Sequence, residues 1–172
     1  MGTVLNEKPD FYKNCIRALA GEAVDVLISC GKAVDPESLG KLPDNIRVEA
    51  YVNQPEVLAK ANVFLTHCGM NSVSESLYMA TPMVLYPQTG EQCAVARRAA
   101  EMGAGVFLRD DSPSGIGKAV EEILSSAVFA EKAAQCSADF RGCPGPAGAA
   151  EFIENAPHES AAEGILDAVN RR

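Results

Sequence analysis

The chain predicts a three-layer α/β/α domain built on a parallel, Rossmann-like sheet, and two observations carry that reading. Short runs rich in Val, Ile and Leu recur at Val24–Ser29, Ile46–Val52, Val63–Thr66, Met83–Tyr86 and Gly105–Leu108. Between them apolar residues repeat at helical spacing: Phe11, Cys15, Ile16 and Leu19, then Val73, Leu77 and Ala80, then Ile116, Val120, Ile123 and Leu124. Strands that alternate with helices must run parallel, and strands covered on both faces lose polar alternation, as Val24-Asp-Val-Leu-Ile-Ser-Cys30 and Val63-Phe-Leu-Thr66 do.

The elements follow in order. The first strand run comes after an amphipathic helix around Phe11–Leu19, and the helix from Val73 separates the runs at Val63 and Met83. Ser112-Pro113 reads as an N-cap with proline at the first helical position, and Phe129, Ala133, Cys136 and Phe140 extend the helical region. The Gly/Pro-rich stretch 142–148 is a break before a C-terminal helical segment marked by Ala162, Ile165, Leu166 and Val169. The 172 residues suffice for one ordinary core, so residues 1–172 are expected to form a single domain.

Composition excludes several classes. A net charge of −8 leaves no basic surface for nucleic acid or an anionic membrane, so neither partner is expected. No apolar run reaches the roughly 20 residues of a membrane helix, and no export leader is visible, so a soluble, cytoplasmic protein without membrane insertion is expected. Six scattered cysteines without a C-x-x-C pair, with two histidines in all, offer no metal-site spacing and fit reduced thiols. Any phosphate bound here must be met locally, by backbone amides and helix ends.

Such a place exists. The run Val63–Thr66 ends at His67-Cys68-Gly69, and a helix is expected to start near Asn71-Ser72. Gly69 reads as the residue that permits a tight turn and close ligand approach, and the amides of Asn71 and Ser72 would face a phosphate. Glu75 lies four residues beyond Asn71, on the same helix face and leaning towards its N-terminus, where its carboxylate can accept from the two hydroxyls of a ribose. Upstream stand Tyr51 and Gln54; downstream, Pro82-Met-Val-Leu-Tyr-Pro87 leads to Glu91-Gln92. Singly, each has a structural alternative: a hydrogen-bonded histidine, a core tyrosine, a solvated glutamate, an acid at a helix start. Their joint order over forty-odd residues is what points to a site.

That order closely resembles the donor-binding signature of the UDP-glycosyltransferase superfamily, macrolide glycosyltransferases included, in which two Rossmann-like domains face each other as a GT-B fold. The resemblance covers the C-terminal, donor-binding half. It implies that His67 donates to the diphosphate, Glu75 holds the ribose, Tyr51 stacks on uracil in the place of a more usual tryptophan, and Gln54 supports base and ribose. It implies that Glu91 and Gln92 bind hydroxyls of the transferred sugar, with glutamate where aspartate is commoner. Met1-Gly2-Thr3 looks like the family's phosphate-contacting turn with its preceding strand missing; alternatively Met1–Leu5 is itself the first strand.

The implied activity is inverting, metal-independent transfer of a hexosyl group from a UDP-sugar to a hydroxyl of a small lipophilic or natural-product acceptor, with no cofactor beyond that donor. The general base is expected on an N-terminal acceptor-binding domain, so no catalytic residue is assigned here and the chain alone is expected to be inactive. The alternatives are the donor subunit of a split enzyme working with a separate acceptor subunit, and a non-catalytic nucleotide-binding module. A Rossmann dehydrogenase lacks support, because Gly103-Ala-Gly105 precedes a strand and Gly31 stands alone.

Overall fold

A computed structural model describes residues 8–156. Gly2 and Thr3, the alternative strand Met1–Leu5, His158 and the terminal helix expected around Ala162–Val169 lie outside the described residues. The chain divides into two compact units, Met1–Phe140 and Arg141–Arg172.

In the first unit, α1 (Pro9–Leu19) begins with proline in its first turn, carries Asp10 there and Arg17 in its last, and buries one stripe, Phe11, Tyr12, Cys15 and Ile16. β1 (Val26–Ser29) follows and pairs in parallel with β2 (Ile46–Glu49), Val26 opposite Ile46. Between them a 3₁₀ turn, Pro36–Leu39, is capped by the Asp35 carboxylate, which accepts from the Glu37 amide at 3.0 Å. A short helix, α2 (Gln54–Leu58), leads to β3 (Phe64–Thr66), α3 (Met70–Tyr78), β4 (Met83–Leu85), α4 (Gly90–Glu101) and β5 (Gly105–Phe107). α5 (Pro113–Ser125) starts as the sequence predicts: Ser112 Oγ accepts from the Gly115 amide at 3.2 Å with Pro113 next to it. α6 (Ala127–Gly142) ends this unit at Phe140 and continues into the second.

All strand pairs are parallel, but the described strands form two sheets, β1-β2 and β3-β4-β5. Each strand is also shorter than its apolar run. β4 is the hub: Met83, Val84 and Leu85 are all fully buried, and alternation sends Val84 to one face and Met83 and Leu85 to the other. On Val84's face, α1 and α5 cover both sheets, packing Phe11, Ile16, Ile116 and Val120 against Ile28, Ile46 and Val84. On the opposite face Val73 and Leu77 of α3, Ala96 and Ala99 of α4, and Cys136 of α6 enclose Met83 and Leu85.

The three layers are therefore complete over β3-β4-β5. Over β1-β2 the second face is open among the described residues: Leu27 is 40% exposed, and Arg47 and Glu49 point out. The apolar run Val24–Cys30 concealed this, because Leu27 is apolar and yet faces away from the core.

In the second unit α6 ends at Gly142 and α7 (Gly145–Glu154) starts within the stretch 142–148, with Pro146 in its first turn. Phe152 and Ile153 on α7 are exposed.

Because β4 is enclosed on both sides, Leu85→Ala is expected to cost about 2–5 kcal/mol. Leu27→Ala, on the open face, is expected to cost well under half of that. Chemical denaturation of the two variants checks the difference; equal costs would show that Leu27 is covered in solution.

Candidate functional site

The site is assembled where β3 and β4 end side by side. At the end of β3 the backbone turns into α3 within three residues, and the turn depends on Cys68, which holds φ at +67°. This left-handed conformation is unusual for a residue with a side chain. It is held by burial and hydrogen bonds: Cys68 is completely buried, its amide donates to Thr66 Oγ1 at 3.2 Å, and its thiol contacts the Thr66 carbonyl at 3.4 Å. Burial pushes the Cys68 thiol up to about 12, so it stays protonated and packs as an apolar group.

The role expected of Gly69 needs correction. Its φ of −61° is one that any residue adopts, so the turn does not require glycine for conformational freedom. The requirement is steric: a Cβ on residue 69 would lie 2.6 Å from His67 Nε2. The imidazole of His67 lies back over Gly69, half-buried, and burial lowers its pKa, which leaves the ring neutral at pH 7 with one N–H to donate.

α3 starts at Met70, one residue before the expected Asn71, with Gly69 as its N-cap. Gly69 offers no side-chain acceptor, and no acidic residue stands in the first turn. The amides of Met70, Asn71 and Ser72 therefore lack an intrahelical partner at the positive end of the helix dipole. α4 and α5, by contrast, are capped by Thr89 and Ser112.

One turn along α3, Gln54 Nε2 donates to Glu75 Oε2 at 2.7 Å and reaches Ser72 Oγ at 3.4 Å. Gln54 can do so because it opens α2, which packs beside α3. Three residues separated by up to 21 positions thus form one cluster, and Gln54 directs one Glu75 oxygen while leaving the other as an acceptor. Tyr51, beyond the end of β2, is 82% exposed, which rules out the alternative that it belongs to the core.

After β4, Glu91 and Gln92 lie in the first turn of α4. Glu91 is exposed. Gln92 takes part in a cap that the sequence analysis missed: Thr89 Oγ1 accepts from the Gln92 amide at 3.3 Å, and Gln92 Oε1 accepts from the Gln88 amide at 2.7 Å. The signal was present, since Thr89-Gly-Glu-Gln92 has the T-x-x-Q spacing of a capping box.

A second missed group lies beside this turn. Tyr86 stacks on Phe11 of α1 with centroids 4.5 Å apart, and its hydroxyl donates to Asp111 Oδ2 at 2.5 Å. Lys8 Nζ donates to the Gln88 side chain and lies 5.2 Å from the Tyr86 ring centre. Burial, followed by the Asp111 contact, pushes the Tyr86 phenol up to about 12. Only tertiary contact joins residues this far apart, so no local motif could reveal them.

Taken together, the structure joins Gln54, Ser72 and Glu75, and sets His67 on Gly69 beside an uncapped helix start. It places Glu91 and Gln92 beyond the adjacent strand and leaves Tyr51 at the surface. A polar cluster at the C-terminal ends of parallel strands, beside a helix N-terminus, defines the class: a Rossmann-like α/β domain with a candidate ligand site at its strand ends. Residues 17–156 match the family model described as erythromycin biosynthesis protein CIII-like, C-terminal domain, and the chain belongs to that family, the C-terminal domain of GT-B glycosyltransferases of the UDP-glycosyltransferase superfamily.

The similarity extends to individual proteins. NDP-glycosyltransferase YjiC of Bacillus subtilis (strain 168) is 37% identical over 156 residues, covering 90% of this chain and 40% of that protein. The oleandomycin glycosyltransferase of Streptomyces antibioticus is 37% identical over 93 residues, 54% of this chain and 22% of that protein. Among solved structures, the calicheamicin glycosyltransferase CalG4 superposes with a TM-score of 0.83 at 32% identity, covering 90% of this chain and 41% of that one. The chain thus spans about two-fifths of the length of such relatives. Among the described residues, no helix is long and apolar enough to cross a membrane.

His67 and Gly69 give a paired prediction. The folded pKa of His67 lies below the free imidazole value of about 6.5, so its contribution to stability is full above that value and is lost as pH falls through the folded pKa. Wild type should therefore lose more stability on acidification than His67→Asn. Gly69→Ala should expel the imidazole and return its pKa towards the free value, read from the His67 C2–H resonance. A titration unchanged in Gly69→Ala would mean that the ring does not rest on residue 69.

Proposed function

We propose that this chain is the donor-binding half of an inverting glycosyltransferase that moves a hexosyl group from a UDP-sugar to a hydroxyl of a small lipophilic or natural-product acceptor. The observation that carries the reading is the Gln54–Ser72–Glu75 cluster set one helical turn from uncapped α3 amides and a neutral His67. Kinship with glycosyltransferases over 90% of the chain supports it.

In this reading the diphosphate rests on the first-turn amides of α3, Asn71 and Ser72 among them, which meet its charge without a lysine or arginine. His67, neutral and given room by Gly69, donates one hydrogen bond to a phosphate oxygen. As the glycosidic C–O bond breaks, negative charge accumulates on the departing diphosphate, and donors already oriented there stabilise it more than they stabilise the bound donor. Glu75, oriented by Gln54, accepts from the ribose hydroxyls, far enough along α3 to avoid repelling the phosphates. Tyr51 offers an exposed ring for uracil, and Gln54 supports base and ribose. Gly2 and Thr3 complete the phosphate contacts.

Glu91 and Gln92 address the sugar. The base that takes the acceptor proton belongs to an N-terminal domain or a separate acceptor subunit, so this chain orients and activates the donor but supplies no base. Alone it should bind UDP without appreciable turnover.

Calorimetric titration with UDP, UDP-glucose and TDP-glucose tests this. Glu75→Ala should weaken UDP binding by about 1–3 kcal/mol. Glu91→Ala should weaken UDP-glucose while sparing UDP. Failure of the folded chain to bind any of the three nucleotides would refute the proposal, and equal losses of UDP and UDP-glucose in Glu91→Ala would move that residue from the sugar to the nucleotide.

A further inference from the structure

Helix α2 is fastened at both ends, and only one of the two fastenings belongs to the candidate site. It has five residues, too few to hold a helix by its own hydrogen bonds, and Leu58 is its one buried residue. Its N-cap, Asn53, makes no side-chain cap bond. At the start of the helix Gln54 donates to Glu75 at 2.7 Å. One turn later the Leu58 carbonyl accepts from Thr81 Oγ1 at 2.8 Å, beside a longer bond of 3.2 Å from the Ala61 amide.

Thr81 is itself tied to α3 through both of its backbone groups: its amide donates to the Ser76 carbonyl at 2.9 Å, and its carbonyl accepts from Ser76 Oγ at 2.8 Å. The turn that presents it is strained. Ala80 holds φ at +60°, one of two such non-glycine residues among the described residues, the other being Cys68. Thr81 is 1% exposed and Ser76 is fully buried, so the Thr81 hydroxyl has no water to turn to and the Leu58 carbonyl is its acceptor. Ser76 directly follows Glu75, so one turn of α3 carries both the carboxylate and the root of this anchor.

We propose that Thr81 is a positioning residue: its hydroxyl anchors α2 so that Gln54 stays on Glu75, and the site's preference for a ribose over a 2′-deoxyribose depends on that anchor. The second half rests on the ribose role of Glu75 proposed above. The contacts are continuous, because Ser76 holds Thr81, Thr81 holds Leu58, and a single helical turn carries the position from Leu58 to Gln54. Without the hydroxyl only the burial of Leu58 holds that end of α2, and burial is not directional. A small shift of α2 breaks the bond to Glu75, whose carboxylate then has to be ordered by the ligand.

Thr81→Val keeps the shape and both backbone bonds and removes only the link to α2; Thr81→Ser keeps the hydroxyl. The first readout is the pair of Gln54 side-chain N–H resonances in the whole chain without ligand, identified by their loss in Gln54→Ala, with the Val84 amide reporting the fold. The proton held by Glu75 should lie downfield of a free carboxamide in wild type and Thr81→Ser, and move to the free position in Thr81→Val. The second readout is the affinity for UDP relative to 2′-deoxy-UDP, which Thr81→Val should lower about fivefold, Thr81→Ser should preserve, and Thr81→Val added to Gln54→Ala should change no further. Unmoved Gln54 resonances in Thr81→Val, a Thr81→Ser variant that behaves like Thr81→Val, or a further loss of preference in the double variant would overturn the proposal. Equal binding of UDP and 2′-deoxy-UDP by wild type would overturn its ribose half together with the reading of Glu75, while the resonances, recorded without ligand, still decide the anchor.

Discussion

The left-handed turn at Cys68 is the constraint on which the site depends. A parallel strand and the helix that follows it run in opposite senses, and between Thr66 and Met70 the chain has three residues in which to reverse. With φ at +67° Cys68 makes that reversal at a conformational cost of order 1–3 kcal/mol. Complete burial of its side chain and the bond to Thr66 Oγ1 oppose that cost. Two features follow the turn. His67 lies back over Gly69, and because Gly69 has no side chain, α3 begins with amides that no side chain caps. Thr66 is nearly inaccessible, and its carbonyl receives the Tyr86 amide, so β4 fixes the turn from below.

The charge of the protein fits the form of the site in the proposed reading. At −8 the chain cannot hold an anionic ligand by long-range attraction, so short-range donors must serve. Helix amides and a neutral imidazole provide them without placing a cation beside Glu75. The carboxylate is oriented instead by the carboxamide of Gln54, a neutral partner that fixes one oxygen and does not neutralise the charge. In the proposed reading, a lysine in that place would compete with ribose hydroxyls for both oxygens; a glutamine leaves one to accept.

Much of this was legible in the sequence because it is local. The strands, α1, α3 and α5 follow from apolar spacing, and Ser112-Pro113 marked its helix start correctly. The order from Tyr51 to Gln92 pointed to the candidate site, and the helix position of Glu75 followed from its spacing to Asn71. What the sequence concealed depends on side chains meeting across the fold. Apolar Leu27 gave no sign that its face is open, and glycine at 69 suggested a torsional need where the need is room for an imidazole. The stack of Phe11 on Tyr86 joins residues that no spacing rule connects. The interruption between β1 and β3 is likewise invisible in a run of residues, since strand pairing is a tertiary property.

Gln92 shows how a structural duty and the proposed ligand duty can share one side chain. Its backbone amide is taken by Thr89 and its carbonyl oxygen by the Gln88 amide, so helix α4 cannot start cleanly without it. Those bonds use the oxygen and leave the NH₂ group to donate. Fixing the oxygen fixes the plane of the carboxamide, and hence the direction in which the NH₂ points, before any ligand arrives. Glu91, its exposed neighbour, can only accept. An acceptor and an oriented donor side by side suit vicinal hydroxyls, each of which both donates and accepts. The capping bond would then lower the ordering cost of binding rather than compete with it, because the rotamer is already fixed by the helix start.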